Sequence, residues 1–111
     1  MTIAEVSPVA GAALLDEGAI LLDVREADEW AAGHSARATW IALGTLADRL
    51  ADVPTDRTVV CICRSGVRSL RAAELLAASG RTAVNLAGGM RAWAEAGLDV
   101  VGSETGAGTV I

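Results

Sequence analysis

The sequence predicts an α/β domain with a mainly parallel β-sheet, because short apolar strands alternate with helices and the connections between them are short. The 111 residues are about the size of one domain, so we expect one core and no second folding unit. Apolar residues make up 52% and charged residues 21% of the chain, a balance typical of a globular protein. We expect the domain to span 1–101 and a mobile tail, rich in Gly, Ser and Thr, to span 102–111.

The first half of the chain contains two helices and two strands. Ser7 and Pro8 fit an N-cap followed by proline at the first helical position. A continuous apolar run over 19–24, bounded by charged residues, predicts a strand that is buried on both faces. The other two elements expected here are a short helix over 26–32 and a short strand over 38–42.

The second half contains the strongest secondary-structure signals. Residues 58–63, TVVCIC, are rich in β-branched side chains and predict a strand. Residues 69–79 place their apolar side chains on one face of a helix. Three weaker elements complete the pattern: a helix over 43–53, a short strand over 83–86 and a helix over 89–96.

Charge and cysteine content argue against several classes of function. A formal net charge of −5 without a basic run gives no support for binding nucleic acid or anionic membranes. No apolar run approaches the roughly 18 residues that a membrane-spanning helix needs.

Cys61 and Cys63 are too close in sequence for an unstrained disulfide, and with the lone His34 they make a poor zinc site. We therefore expect no metal or other cofactor, and a reducing cytoplasm as the compartment.

Residues 63–69, CRSGVRS, surround one thiol with cationic side chains and backbone donors in an otherwise acidic chain. Cys63 ends its predicted strand, and ligands of parallel sheets bind beyond the carboxyl ends of the strands. Gly66 permits a sharp turn, so that successive N–H groups can form an anion-binding nest at the positive end of the following helix. The loop therefore predicts a reactive thiolate on Cys63 and a binding site for the anion that reacts with it. The expected substrate-binding residues are Arg64, Ser65, Gly66, Val67, Arg68 and Ser69.

Each of these residues also has a structural interpretation. A cysteine at a strand end is usually a small buried apolar residue, but the flanking arginines, glycine and serine favour a reactive thiol at Cys63. Cys61 lies inside the strand and is assigned to core packing. His34 is more typical of a turn-stabilising hydrogen bond than of a catalytic base. Trp93 is assigned to the core.

Three segments together resemble the single-domain rhodaneses, a family of sulfurtransferases. They are CRSGVRS with its preceding strand, LLDVREADEWAAGH over 21–34, and NLAGGMRAW over 85–93, and they stand in the order and spacing of the family. The resemblance runs from about Ile3 to Val100. It implies a three-layer sandwich with a parallel five-stranded sheet, and Cys63 as the nucleophile that carries sulfur.

The resemblance also implies a supporting network near the active loop, formed by Asp23 and Arg25. Taken without the resemblance, these residues are charges at the carboxyl end of a strand, where a simple ion pair is the alternative. The implied reaction moves sulfane sulfur from an anionic donor such as thiosulfate to a thiol or to cyanide, through a persulfide on Cys63. The expected partners are this small donor, a thiol acceptor and, as a further option, a protein that accepts the sulfur.

Two other functions are considered. The first is a module that delivers or senses sulfur on a protein partner without turnover, whose chemistry at Cys63 would be the same. The second is a phosphatase or an arsenate reductase, since related folds carry a phosphate-binding loop with cysteine and arginine. Four residues separate Cys63 from Arg68, whereas the related cell-cycle phosphatases have five, so the loop favours sulfur transfer.

One segment departs from the pattern of the family. Where the family usually has Gly-His-Ile-Pro-Gly-Ala, this chain has GHSARA over 33–38, and Trp40 stands where a smaller polar residue is common. We expect Ser35, Ala36 and Arg37 to reshape one wall of the pocket, with Arg37 adding positive charge there. The expected effect is on the choice of substrate and not on the chemistry of Cys63.

Overall fold

The structure, a computed structural model, describes residues 2–102 and 106–111. Five parallel strands form one sheet with the order β1-β5-β4-β2-β3. The strands are β1 (Glu5–Val6), β2 (Ile20–Asp23), β3 (Ala38–Trp40), β4 (Val59–Ile62) and β5 (Ala83–Leu86). The helices are α1 (Pro8–Asp16), α2 (Ala27–Ala32), α3 (Leu43–Leu46), α4 (Val67–Ala78) and α5 (Gly89–Glu95).

The central strand β4 shows how the sheet separates two layers of helices. Val59 and Cys61 pack into a core with side chains from α3 and α4. Val60 and Ile62 point to the other face, where they pack with side chains from α1 and with Trp93 of α5. All four residues of β4 are buried, as expected of a strand covered on both faces. The predicted three-layer α/β sandwich with a parallel five-stranded sheet is therefore confirmed, and so is the core position of Trp93.

Two elements differ from the sequence-based prediction. The strand β1 has only two residues, too few to show a periodic pattern, and no strand was predicted there. The helix predicted over 43–53 is α3 followed by a 3-10 segment, Ala47–Asp52, that is irregular at Arg49. The guanidinium of Arg81 donates to the Leu50 carbonyl inside this segment and to the Val53 carbonyl just after it, so a tertiary contact satisfies carbonyls at the end of the segment. Among the described residues, no helix is long and apolar enough to cross a membrane.

The predicted tail over 102–111 includes residues 103–105, which lie outside the described part of the chain. Residues 106–111 lie against the domain: the Thr109 N–H donates to the Ala32 carbonyl at 2.9 Å, and the Gly108 N–H donates to the Val100 carbonyl at 3.3 Å. The Ile111 carbonyl oxygen accepts from Nε of Arg64 at 2.8 Å. These contacts bring the tail to the loop that follows β4; its mobility stays a prediction.

Candidate active site

Cys63 follows β4 directly and so lies at the carboxyl edge of the central strand. Its side chain is buried, with 1% exposure. The sulfur accepts hydrogen bonds from the Gly66 N–H at 3.1 Å and from the Ser69 hydroxyl at 3.2 Å. Gly66 has a φ of +103°, a left-handed conformation that favours glycine, and α4 begins at the next residue. The turn therefore folds the chain back over the sulfur and points donors at it.

The donors around Cys63 determine its acidity. Burial alone would raise the pKa of this thiol. The hydroxyl of Ser69 and the backbone N–H groups of Ser69, Gly66 and Ser65 outweigh burial, so the pKa of Cys63 lies below its ordinary value of 9.0. At Cys61, burial raises the pKa to about 12 and the nearby Cys63 adds to the shift. Cys61 is fully buried in the core, as predicted.

The start of α5 holds the backbone of the loop in this orientation. The Met90 N–H donates to the Cys63 carbonyl at 2.7 Å, and the Arg91 N–H donates to the Arg64 carbonyl at 3.1 Å. Because a peptide unit is planar and trans, a carbonyl turned towards α5 turns the N–H of the next residue away from it. A Cβ at Gly89 would come within 2.5 Å of the Cys63 carbonyl oxygen. Gly89, the second glycine of NLAGGMRAW, thus permits the close approach that orients the loop donors.

Asn85 is a site residue that was not predicted from the sequence. It is 1% exposed, and its Nδ2 donates to the Gly66 carbonyl at 2.9 Å. Its Oδ1 accepts from the Ser69 hydroxyl at 2.6 Å. The available signal was an amide side chain inside the apolar strand AVNL, where a buried polar group needs partners.

The two loop arginines are engaged differently. Arg68 makes a bidentate ion pair with Glu29 of α2, with N–O distances of 2.7 and 2.8 Å. This contact lowers the pKa of Glu29 from 4.5 to about 2. Arg64 is exposed on the surface beside Ile111. The substrate-binding roles of both arginines stay predictions, and Glu29 is a further neighbour of the loop that was not predicted.

Asp23 and Arg25 form a fully buried ion pair at the carboxyl end of β2, with a shortest N–O distance of 2.7 Å. Nη2 of Arg25 also donates to the Gly33 carbonyl at 2.7 Å, so the pair ties the strand end to the turn after α2. Asp23 is in register with Ile62, the residue before Cys63. Nη1 of Arg25 is buried and has no hydrogen-bond partner among the described residues, and the supporting role of the pair stays a prediction.

The segment before β3 is placed differently from the prediction. Because β3 is parallel to β4, its amino end lies at the opposite edge of the sheet from Cys63. The Ser35 hydroxyl donates to the carboxylate of Asp99, and Arg37 pairs with Asp16 at the end of α1 at 2.9 Å. The expectation that Arg37 and its neighbours line the pocket and add positive charge there is wrong.

His34 and Trp40 complete the surroundings of β2. Nδ1 of His34 lies 2.6 Å from the Trp30 carbonyl oxygen, and the two rings stack with centroids 3.7 Å apart. This contact confirms the predicted turn-stabilising role of His34. Trp40, at the carboxyl end of β3, donates from Nε1 to the Arg25 carbonyl at 2.7 Å. Of the residues noted in the sequence as unusual for the family, Ser35, Ala36, Arg37 and Trp40, it is Trp40 that lies beside the strand end carrying Asp23 and Arg25.

Comparisons with known proteins address the family. The family model "Rhodanese-like domain" matches residues 7–96. The chain belongs to the rhodanese family. It is 39% identical over 89 residues to a sulfurtransferase of Allochromatium vinosum, covering 79% of this chain and 83% of the relative. It is 33% identical to the thiosulfate sulfurtransferase GlpE of Pseudomonas entomophila, covering 79% of this chain and 82% of the relative.

Solved structures agree with this rhodanese assignment. A rhodanese-related protein from Thermoplasma volcanium superposes with a TM-score of 0.82 at 28% identity, covering 88% of this chain and 97% of the other. A rhodanese-like domain protein from Staphylococcus aureus superposes with a TM-score of 0.76 at 32% identity, covering 82% and 91%. The relatives named as sulfurtransferases support general sulfur transfer as the activity of this rhodanese.

Proposed function

We propose that this rhodanese is a thiosulfate sulfurtransferase that carries sulfur as a persulfide on Cys63. The observation that supports the proposal most directly is a thiol at the edge of the central strand whose pKa is lowered by hydroxyl and backbone donors. Such a thiol supplies the thiolate that attacks sulfur. The relative named as a thiosulfate sulfurtransferase suggests the donor. No cofactor takes part in the proposed reaction, and its compartment is the reducing cytoplasm.

In the first step the Cys63 thiolate attacks the outer sulfur of thiosulfate. A new S–S bond forms to Cys63, the S–S bond inside thiosulfate breaks, and its electron pair leaves with sulfite. The single negative charge of the thiolate is then carried by the outer sulfur of the persulfide, so atoms and charge balance. The N–H groups of Ser65, Gly66 and Ser69 donate towards the sulfur of Cys63, and we propose that they also stabilise the charge on the outer sulfur as an oxyanion hole does.

In the second step a thiolate acceptor, or cyanide in an assay, attacks the outer sulfur and the Cys63 thiolate leaves. The exposed guanidinium of Arg64 attracts the anionic donor and the departing sulfite. Arg68 acts through its ion pair with Glu29, which fixes the first turn of α4 against α2. Asp23 and Arg25 support the neighbouring strand end.

The engagement of Arg68 argues against a phosphatase. A phosphoryl group has three anionic oxygens and is typically bound by the two-pronged guanidinium of an arginine. Here both prongs of Arg68 are occupied by the Glu29 carboxylate. A sulfur-delivering module remains the second candidate, because Val67, at the start of α4 in the segment 63–69, exposes 66% of its surface and offers an apolar contact to a protein acceptor.

The experiment that tests the proposal is intact-mass measurement after incubation with thiosulfate. We expect a gain of one sulfur atom, removed by cyanide, and no gain in Cys63→Ser. Steady turnover of thiosulfate and cyanide would then favour an enzyme, whereas a stable adduct without turnover would favour the delivery module. Absence of any adduct with several sulfur donors would contradict both.

A further inference from the structure

The Ser69 hydroxyl lies between two hydrogen-bond acceptors. Its Oγ is 3.2 Å from the sulfur of Cys63 and 2.6 Å from Oδ1 of Asn85. Ser69 and Asn85 are both buried, with 0% and 1% exposure. A serine hydroxyl has one proton, so it donates to only one of these two atoms at a time.

The orientation of the Asn85 amide decides where that proton points by default. Nδ2 is 2.9 Å from the Gly66 carbonyl oxygen and 2.9 and 3.2 Å from the two carboxylate oxygens of Glu5. A carbonyl and an ionised carboxylate only accept hydrogen bonds, so both require the NH₂ group of the amide. A flipped amide would set its oxygen against these acceptors. Oδ1 therefore faces Ser69 and accepts its proton.

The hydrogen bonds of Ser69 and Asn85 suit the neutral thiol of Cys63 better than its thiolate. In the neutral thiol, the S–H group can donate to Oγ of Ser69 while Ser69 donates to Asn85, and every group has a partner. The thiolate only accepts, so the Ser69 hydroxyl stabilises it only when the Ser69 proton turns to the sulfur, and this turn leaves Oδ1 of Asn85 buried without a donor. Leaving a buried acceptor unpaired is unfavourable.

We infer that Asn85 is a positioning residue for sulfur transfer: by competing for the Ser69 proton, it limits how strongly that hydroxyl stabilises the Cys63 thiolate. The inference rests on the proposed function. The nucleophilicity of a thiolate falls as its proton affinity falls, and the best attacking thiol titrates near the ambient pH. The backbone donors of the loop already stabilise the thiolate, so the competition from Asn85 preserves its power to attack.

The same competition distinguishes the thiolate from the persulfide. Once sulfur has been transferred, the negative charge lies on the outer sulfur and the sulfur bonded to Cβ of Cys63 becomes a weak acceptor. The Ser69 proton then returns to Asn85. The Ser69 hydroxyl thus donates to the sulfur of Cys63 while that sulfur is a thiolate, in the attacking and in the leaving state. It donates to Asn85 while Cys63 carries the persulfide.

Several charged or titratable groups surround the thiol, and all of them except Glu5, which is changed in one of the variants below, are left in place. Glu5 of β1 adds to the chain of hydrogen bonds, because a carboxylate on Nδ2 polarises the amide and strengthens Oδ1 as an acceptor. The other groups are Cys61 of β4, the Asp23–Arg25 pair of β2, the Arg68–Glu29 pair of α4 and α2, and Arg64 of the loop.

The test is a double-mutant cycle on the pH profile of Cys63 alkylation by iodoacetamide, a neutral reagent. The proteins are the parent, Asn85→Leu, Ser69→Ala and the double variant. Asn85→Leu also removes the contact with the Gly66 carbonyl, but that loss occurs in both backgrounds and cancels in the cycle. In each background the cycle measures how far Asn85→Leu shifts the midpoint of the alkylation pH profile. We expect this shift to be more negative by about 0.5–1 pH unit in the protein with Ser69 than in the protein with alanine at position 69.

A second readout is the alkylation rate at the high-pH plateau, where all of Cys63 is thiolate. In the Ser69 background, Asn85→Leu should lower this rate by about two- to threefold. If Asn85→Leu does not fold, Glu5→Ala, on the exposed edge strand, replaces it and should give a difference of the same sign and of a few tenths of a pH unit. A cycle difference of zero, or of the opposite sign, would overturn the inference. Alkylation needs no sulfur transfer, so this outcome is independent of whether a persulfide forms.

Discussion

Cys61 and Cys63 are two residues apart, point to the same face of the sheet and are both buried, yet their pKa values are shifted in opposite directions. The pKa of Cys61 is raised to about 12, whereas that of Cys63 is lowered. Cys61 pairs within the sheet with Leu22 on one side and Asn85 on the other, and apolar side chains of the core surround it. Cys63 lies one step beyond the sheet, where the chain turns and backbone N–H groups are free of the ladder.

The difference teaches that burial alone does not determine thiol reactivity. A buried thiol loses the solvation of its charged form, and only preorganised donors replace it. A strand interior cannot supply them, because its N–H groups are used by neighbouring strands. A strand end followed by a tight turn and a helix start can supply several at once.

The largest expected effect tests the two cysteines directly. Cys63→Ser should lower sulfur transfer by at least about a thousandfold, because a serine hydroxyl barely ionises and cannot carry sulfane sulfur. Cys61→Ser should keep most of the activity and lose stability, because it buries a hydroxyl in the core. Turnover with thiosulfate and thermal unfolding measure both effects. Equal loss of transfer in two folded variants would mean that Cys61 takes part in the chemistry.

Much of this contrast could be predicted from the sequence. The apolar run TVVCIC indicated a buried strand, and the glycine and serines after it indicated a turn rich in donors. The positions of Asn85 and Glu29 could not be predicted in this way, because the sheet order brings Asn85 to Ser69 and the packing of α2 brings Glu29 to Arg68 from distant parts of the chain. The placement of Arg37 failed for a different reason: in the predicted parallel sheet, a residue just before the strand over 38–42 lies at the amino edge, opposite Cys63, and this consequence of the strand direction was not applied.

The second prediction concerns the contact that orients the loop. In Gly89→Ala, the new Cβ would collide with the backbone of Cys63 and Arg64 and displace their carbonyls from α5. We expect kcat/KM to fall by about ten- to a hundredfold, since a small misplacement of catalytic groups has effects of this size. The pKa of Cys63 should rise while that of Cys61 stays unchanged, which would narrow the contrast between the two thiols.

Gly97→Ala is the matched control for this substitution. Gly97 has a φ of +81°, in the same left-handed region as the +61° of Gly89, but apart from its chain neighbours no described residue comes within 4 Å of its added Cβ. Both variants should therefore lose about 1–2 kcal/mol of stability from backbone strain. Only Gly89→Ala should change the pH profile of Cys63 alkylation. A similar change in Gly97→Ala would show that general destabilisation, and not the loop contact, is responsible.

The third prediction separates charge from backbone donors. Arg64→Ala should keep a reactive Cys63 but lower kcat/KM for thiosulfate by roughly tenfold, because an exposed charge attracts the anion without holding the thiolate. Added salt should slow the parent more than this variant, since screening removes the same attraction. Arg71→Ala, which removes an exposed arginine from α4 outside the loop, is the control and should change little.

Arg68→Ala should behave differently from Arg64→Ala. It leaves the Glu29 carboxylate without its partner, so it should lower stability and affect neutral and anionic sulfur donors alike. If Arg68→Ala instead loses rate only with thiosulfate, Arg68 binds the donor directly. If either arginine variant raises the pKa of Cys63 by more than about two units, that arginine, and not the backbone, holds the thiolate.

The last prediction compares both thiols in one measurement that needs no activity, the free energy of unfolding as a function of pH. The chain has no lysine and no tyrosine, so between about pH 9 and 11 the cysteines are the side chains that titrate. Folding lowers the pKa of Cys63 below its value near 9 in the unfolded chain, so the ionised thiol stabilises the fold above pH 9. This contribution is lost as the pH falls through the pKa of Cys63 in the folded protein. Folding raises the pKa of Cys61 to about 12, so its contribution to stability is fully present below pH 9. It is lost as the pH rises from about 9 to about 12, because the thiol of the unfolded chain ionises there first.

Stability should therefore rise up to about pH 9 and then fall by about 1.4 kcal/mol per pH unit. Cys61→Val removes the thiol that stays protonated and should flatten the falling part of the curve, while leaving the rising part in place. Cys63→Ala should flatten the rising part of the curve and leave the falling part in place. Chemical denaturation of the three proteins at matched pH values measures the slopes. An alkaline slope that survives Cys61→Val would show that another group titrates there and that the acidity assigned to the buried cysteine is wrong.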